Sequence, residues 1–256
     1  MKFLKKCGAF VCRTLLGLIQ STNSNLNYIK IGALVGTFGL YSLVFSWKFA
    51  LLLMISIGWH ESGHVWAMRR VGMTTSGFYF IPFVGGVAVG NSNYGTLRDK
   101  VIVVLMGPVW GMTLALLTWF AYLVTDNTFL GVAAYWQSIL NLFNLLPANP
   151  LDGGQLFRSI LTSINKKVAD AFAFLSVLAF LTLFSFFKSP IYLLVAYFAG
   201  KDFWAHYKYS IEAETTPLSR NEIVITATLY GILCSTLLLI LYATTAIGAN
   251  LAIYLK

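Results

Sequence analysis

Seven apolar runs dominate the chain: 31–47, 49–67, 101–124, 129–147, 168–187, a shorter one at 190–204, and 223–245. A helix needs about 17–25 apolar residues to cross the hydrocarbon core of a bilayer. Only 11% of the 256 residues are charged and 58% are apolar, whereas a soluble domain is about 25% charged. A chain with so little solvating surface cannot cover a water-exposed fold of this length. The expected fold is an all-α polytopic membrane protein of six to seven transmembrane helices, the 168–204 region reading as one span or two.

The net charge of +9 would suit nucleic acid if the cations formed one patch, but they are sorted along the chain. Fifteen of the 18 Lys and Arg fall before residue 31 or in 68–100, 148–167 and 201–222, leaving only Lys48, Lys188 and Lys256 for the opposite side. That is a positive-inside bias. It places the N-terminus and those loops in the cytoplasm and excludes nucleic acid as the partner. In residues 1–20, Leu4, Cys7, Val11, Leu15 and Leu18 recur at helical spacing beside a lysine cluster. The pattern predicts an amphipathic segment on the anionic inner leaflet, with STNSNLN as a hinge. The chain then divides into an interfacial segment (1–30), a membrane core (31–160) and C-terminal helices (161–256). The scattered Cys7, Cys12 and Cys234 imply neither a disulfide framework nor a Cys-based metal site.

Against this apolar background the acidic residues are informative. Seven of the nine lie at span ends or in loops; the other two are Glu61, in IGWHESGHVWAMRR (57–70), and Asp152, in NLFNLLPANPLDGGQ (141–155). Ionisable groups at membrane depth are costly and mark function by default. His60 and His64 are four apart, so on a helix they lie on one face a turn apart. Two imidazoles so placed can share one zinc ion, and Glu61, about 100° round the helix, can reach a water on it. With three His and four Glu in the chain, chance supplies this spacing roughly 5 × 10⁻⁴ times. The bland reading is a pair of packed helix histidines, which leaves the adjacent Glu unexplained.

A catalytic zinc takes three protein ligands and keeps one position open. His206, in the boundary segment FWAHYKYS, better fits an interfacial role among aromatics. Asp152 is the stronger third ligand, because the span before it returns to the side on which 49–67 ends. Asp-Gly-Gly is also good turn chemistry, and the two readings are compatible.

Together HESGH (60–64) and NPLDGG (149–154) resemble the paired motifs of the site-2 protease family of intramembrane zinc metalloproteases. Asn144 and Pro147 match the family's spacing before the Asp, and Gly107–Pro108 match the GP dipeptide of its third core helix. GFYFIPFVGG (77–86) is similar to the segment that forms a membrane-associated β-hairpin after the HExxH helix. The resemblance covers residues 50–160. Two features depart from it: the GP motif often ends in Asn at its fifth position, where this chain has Gly111, and neither a PDZ nor a CBS domain is recognisable, as in a minimal member. The resemblance implies one Zn²⁺ per chain held by His60, His64 and Asp152, with Glu61 as general base. It assigns Asn144 to the substrate backbone or developing oxyanion; an interhelical hydrogen bond is the competing role.

A transmembrane substrate must unwind before its amides can be attacked, and unwound backbone in lipid needs new partners. Residues 77–90, aromatic and β-branched with a Gly85–Gly86 turn candidate, could supply them by β-augmentation, or could simply lie in the interface. The expected function is an endopeptidase cutting a transmembrane protein near its cytoplasmic end, in a bacterial cytoplasmic membrane, with the bilayer and a regulatory membrane protein as further partners. A catalytically silent scaffold and a metal transporter are the alternatives; transport predicts polar residues spread over several spans rather than one cluster.

Overall fold

The computed structural model describes residues 24–81, 85–90, 94–209 and 216–248. The amphipathic segment expected at residues 1–20 lies outside the described residues; of the STNSNLN hinge expected after it, residues 24–27 are helical rather than a break. The elements are α1 (Ser24–Val44), α2 (Trp47–Arg70), β1 (Thr75–Ile81), β2 (Gly85–Gly90), α3 (Leu97–Thr125), α4 (Thr128–Asn144), α5 (Asp152–Ile164), α6 (Lys166–Phe187), α7 (Pro190–Tyr209) and α8 (Arg220–Gly248). Each of the seven apolar runs lies largely in its own helix. Among the described residues, three helices are long and apolar enough to cross a membrane: α3, α6 and α8.

Local chemistry sets several boundaries. Ser46 caps α2 by accepting from Phe49 N–H, and Arg69 and Arg70 occupy its last turn, where the helix dipole favours cations. Thr96 caps α3 reciprocally, accepting from Asp99 N–H and donating to the Asp99 carboxylate. Asn127 and Asn165 cap α4 and α6 by accepting from Phe129 N–H and Lys167 N–H.

Helix α2 packs on α3 and α3 on α4, while α8 lies against both α3 and α4. One apolar cluster, including Val104, Leu105, Ala115, Ala134, Leu237 and Ile240, joins α3, α4 and α8. A second, around Phe49, Leu53, Val65, Phe78 and Phe80, joins α1 and α2 to the hairpin. Helices α6 and α7 pair with each other and reach the rest mainly through α5.

Strands β1 and β2 form the expected antiparallel hairpin, with Phe78 opposite Ala88 and Phe80 opposite Gly86. Gly85 and Gly86 are strand residues paired with Ile81 and Phe80, not the turn they suggested. A second difference concerns the segment before Asp152. Helix α4 ends at Asn144, with Leu145 as its C-cap, instead of continuing to Pro147. Asp152 opens a short helix, α5, that hydropathy alone did not mark because it is amphipathic and only 13 residues long. Gly153 and Gly154 permit this turn: a Cβ on either would collide with the backbone of residues 145–149.

Candidate metal centre

The HExxH segment lies in the C-terminal half of α2, buried on all its functional residues: His60, Glu61 and His64 are 4%, 7% and 8% exposed. The i, i+4 spacing brings the two imidazoles to 4.9 Å between centroids. Asp152 arrives from the first turn of α5, where the helix dipole favours a carboxylate. The loop carrying it is tied down on three sides. Tyr230 of α8 donates to Leu145 C=O at 2.6 Å, Gln155 to Pro150 C=O at 3.0 Å, and Asn149 to the Asp202 carboxylate of α7 at 3.2 Å.

His60 Nε2 lies 3.0 Å from Asp152 Oδ2 and 3.1 Å from His64 Nε2, and His64 Nε2 lies 3.4 Å from the same oxygen. The other ring nitrogens are occupied. His60 Nδ1 is 2.9 Å from Asn141 Oδ1, and His64 Nδ1 is 2.8 Å from Val103 C=O. Both of those partners are acceptors, so each Nδ1 carries the proton and each Nε2 presents a lone pair. Three electron-pair donors, two nitrogens and a carboxylate oxygen, therefore converge in a buried space. Such an arrangement is repulsive unless a metal ion, or a proton on one imidazole, sits among them. Zinc bonded to N and O at about 2.0–2.1 Å in a tetrahedron spaces its ligands by about 3.3–3.4 Å. The observed separations form one face of that tetrahedron, slightly contracted, and leave a fourth position open. Of the described residues, His60, His64 and Asp152 form the cluster able to hold a metal.

Helix α3 approaches the pair at Gly107, where a Cβ would stand 2.8 Å from His60 Nε2 and overlap His64 Nε2. Strand β2 approaches from another side. The Glu61 carboxylate accepts from Ala88 N–H, and a Cβ on Gly86 would lie 2.8 Å from Glu61 Oε1. The strand thus lies directly on the carboxylate beside the metal position.

The fold brings together His60, Glu61, His64 and Asp152. Asn144, half-buried at the end of α4, is not part of that hydrogen-bonded set. Its neighbour one turn back, Asn141, is, and sequence reasoning missed it. The signal was available: Gln137, Asn141 and Asn144 put amides on one side of an otherwise apolar helix.

A buried His–His–carboxylate face with a glutamate alongside, set in a bundle of apolar helices, defines a candidate metal centre. The chain belongs to peptidase family M50, whose profile matches residues 48–128 and 125–187. A zinc metalloprotease of Methanocaldococcus jannaschii is 32% identical over 118 residues, 44% of this chain and 34% of that protein. Stage IV sporulation protein FB of Bacillus subtilis is 31% identical over 119 residues, 43% of this chain and 38% of that protein. The matches thus span little more than a third of the length of these relatives. Among solved structures, the site-2 protease from Methanocaldococcus jannaschii superposes with a TM-score of 0.48 at 22% identity, covering 75% of this chain and 90% of that one.

Proposed function

We propose that this chain is an intramembrane zinc endopeptidase that cuts a transmembrane segment of another membrane protein near its cytoplasmic end. The observation that carries the reading is the convergence of two imidazole lone pairs and a carboxylate oxygen beside Glu61. A zinc ion held by His60, His64 and Asp152 would act as a Lewis acid, making water a nucleophile near neutral pH and polarising the scissile carbonyl. Glu61 takes the proton of the attacking water and returns it to the leaving amine. Asn144 binds substrate backbone or the developing oxyanion; its half-buried position at the end of α4, eight residues before Asp152, supports that role. Strand β2, lying on Glu61, offers backbone to the unwound substrate, and the burial of the site keeps bulk water from the reacting bond.

The same reading takes α1, α2, α4 and α7 as membrane helices beside α3, α6 and α8, six or seven spans in all. It sets the site toward the cytoplasm on the strength of the charge bias, and residues 31–160 as the catalytic core between an interfacial segment and the C-terminal helices. A regulatory membrane protein and a bacterial cytoplasmic membrane complete it.

The test compares membrane proteomes of cells carrying the wild-type chain and Glu61→Gln. New termini inside transmembrane segments are expected with wild type only, while both proteins retain one zinc. Identical termini would leave the scaffold or transporter reading, which metal flux into vesicles separates.

A further inference from the structure

We infer that Asn141 is a positioning residue for the metal ligand His60, and that Gly111 exists in this chain to make room for it. The inference rests on the proposed zinc site but concerns how the ligand is aimed, and it can be tested by metal binding without any substrate.

Asn141 is 2% exposed, on α4, and reaches across to α2. Its Oδ1 lies 2.9 Å from His60 Nδ1. Its Nδ2 donates to Gln137 C=O at 2.8 Å on its own helix. That second bond settles the orientation of the amide: the NH₂ group faces a carbonyl, so the oxygen faces the imidazole. An oxygen at Nδ1 requires the ring proton to be there, which turns the Nε2 lone pair toward His64 and Asp152. One amide thus fixes both the tautomer of His60 and the plane of its ring. Groups in this position behind a metal-binding His typically change metal affinity by about 10–100-fold when removed.

Gly111 of α3 is the other half of the device. A Cβ there would overlap Asn141 Oδ1 and stand 2.5 Å from Asn141 Nδ2. Any side chain at 111 would therefore expel the amide from its place against His60. The two positions lie on different helices and meet in this space. His64 needs no such partner, because the backbone carbonyl of Val103 performs the same task for it.

A packing role and a positioning role predict opposite orders for the same substitutions. Asn141→Leu keeps the volume and removes the acceptor; Asn141→Asp keeps an acceptor oxygen facing Nδ1 and adds a buried charge. Zinc affinity is measured by chelator competition on the purified full chain in detergent, with thermal unfolding of the metal-free protein as a control for folding. Positioning predicts that Asn141→Asp stays within about threefold of wild type, while Asn141→Leu and Asn141→Ala lose about 10–100-fold. Gly111→Ala should lose as much as Asn141→Ala, and the double variant should lose no more than either single change, the non-additivity expected of one shared interaction. Wild-type zinc affinity in Asn141→Leu, or greater loss in Asn141→Asp than in Asn141→Leu, would overturn the proposal. So would additive losses in the double variant. Loss of proteolysis with zinc bound normally in every variant would likewise refute positioning while leaving the metal site itself intact.

Discussion

At the residue scale, the site depends on side chains that are absent as much as on those present. Helix α3 can pass the two imidazoles only because residue 107 has no Cβ. Gly107→Ala favours the helix by intrinsic propensity, by about 1 kcal/mol, yet inserts a methyl against the Nε2 atoms of His60 and His64. The expected outcome is a folded protein with zinc well below one per chain, read by elemental analysis beside circular dichroism. Asp152→Ala removes the one anionic member of the proposed ligand set and should weaken zinc binding by more than any change at Asn141. Unaltered affinity in that variant would take Asp152 out of the metal's coordination. The departure of Gly111 from the family pattern acquires a physical reason at this scale, since the space it leaves is filled from α4 by Asn141.

At the scale of elements, the hairpin and α5 each bring one group to α2. Lys30 of α1 bonds Ser76 C=O on β1 and stands over the Tyr79 ring, which anchors one side of the hairpin. On the other side β2 meets Glu61. Replacing residues 77–90 by a short flexible linker should abolish cleavage with zinc retained, because none of the three proposed ligands lies in the hairpin. Loss of both zinc and cleavage would mean that the hairpin only supports the fold. A milder version is Gly86→Val, which must push β2 away from Glu61 and should lower kcat without lowering zinc content.

At the scale of the molecule, Arg158 links three helices. It is 2% exposed and pairs with Asp202 of α7 at 2.9 Å and Asp170 of α6 at 3.5 Å. The Asp202 oxygen it meets also accepts from Asn149 in the loop before Asp152. The C-terminal helices are thereby connected to the metal loop. Asp202→Ala leaves the guanidinium with less compensation. The cost should be on the order of 1–3 kcal/mol, below that of a fully buried pair because Asp202 is partly solvated. It should appear as a lower Tm with a smaller loss of zinc affinity than Asp152→Ala causes. Metal removal should act on the whole molecule as well. A zinc ion bound only by the folded chain stabilises it by linkage, so chelation should lower Tm and added zinc should restore it. A Tm indifferent to chelator would argue against a preformed site.

Much of this protein is written in short-range pattern. Seven apolar runs mark seven of the eight helices among the described residues, and the i, i+4 spacing of His60 and His64 fixes them on one face whatever else the chain does. Glu61 and Asp152 stand out because charge in an apolar chain needs a reason. The hairpin is legible from its aromatic and β-branched residues. Other features were decided only when distant segments packed. That α4 ends at Asn144 and a short amphipathic helix starts at Asp152 depends on contacts to Tyr230 and Asp202, far away in sequence. That Gly86 lies in a strand against Glu61, and that Asn141 rather than Asn144 bonds His60, follows from which helix faces meet. Local periodicity states which side of a helix is polar; it cannot state what stands opposite, because that is set by close packing between segments tens of residues apart.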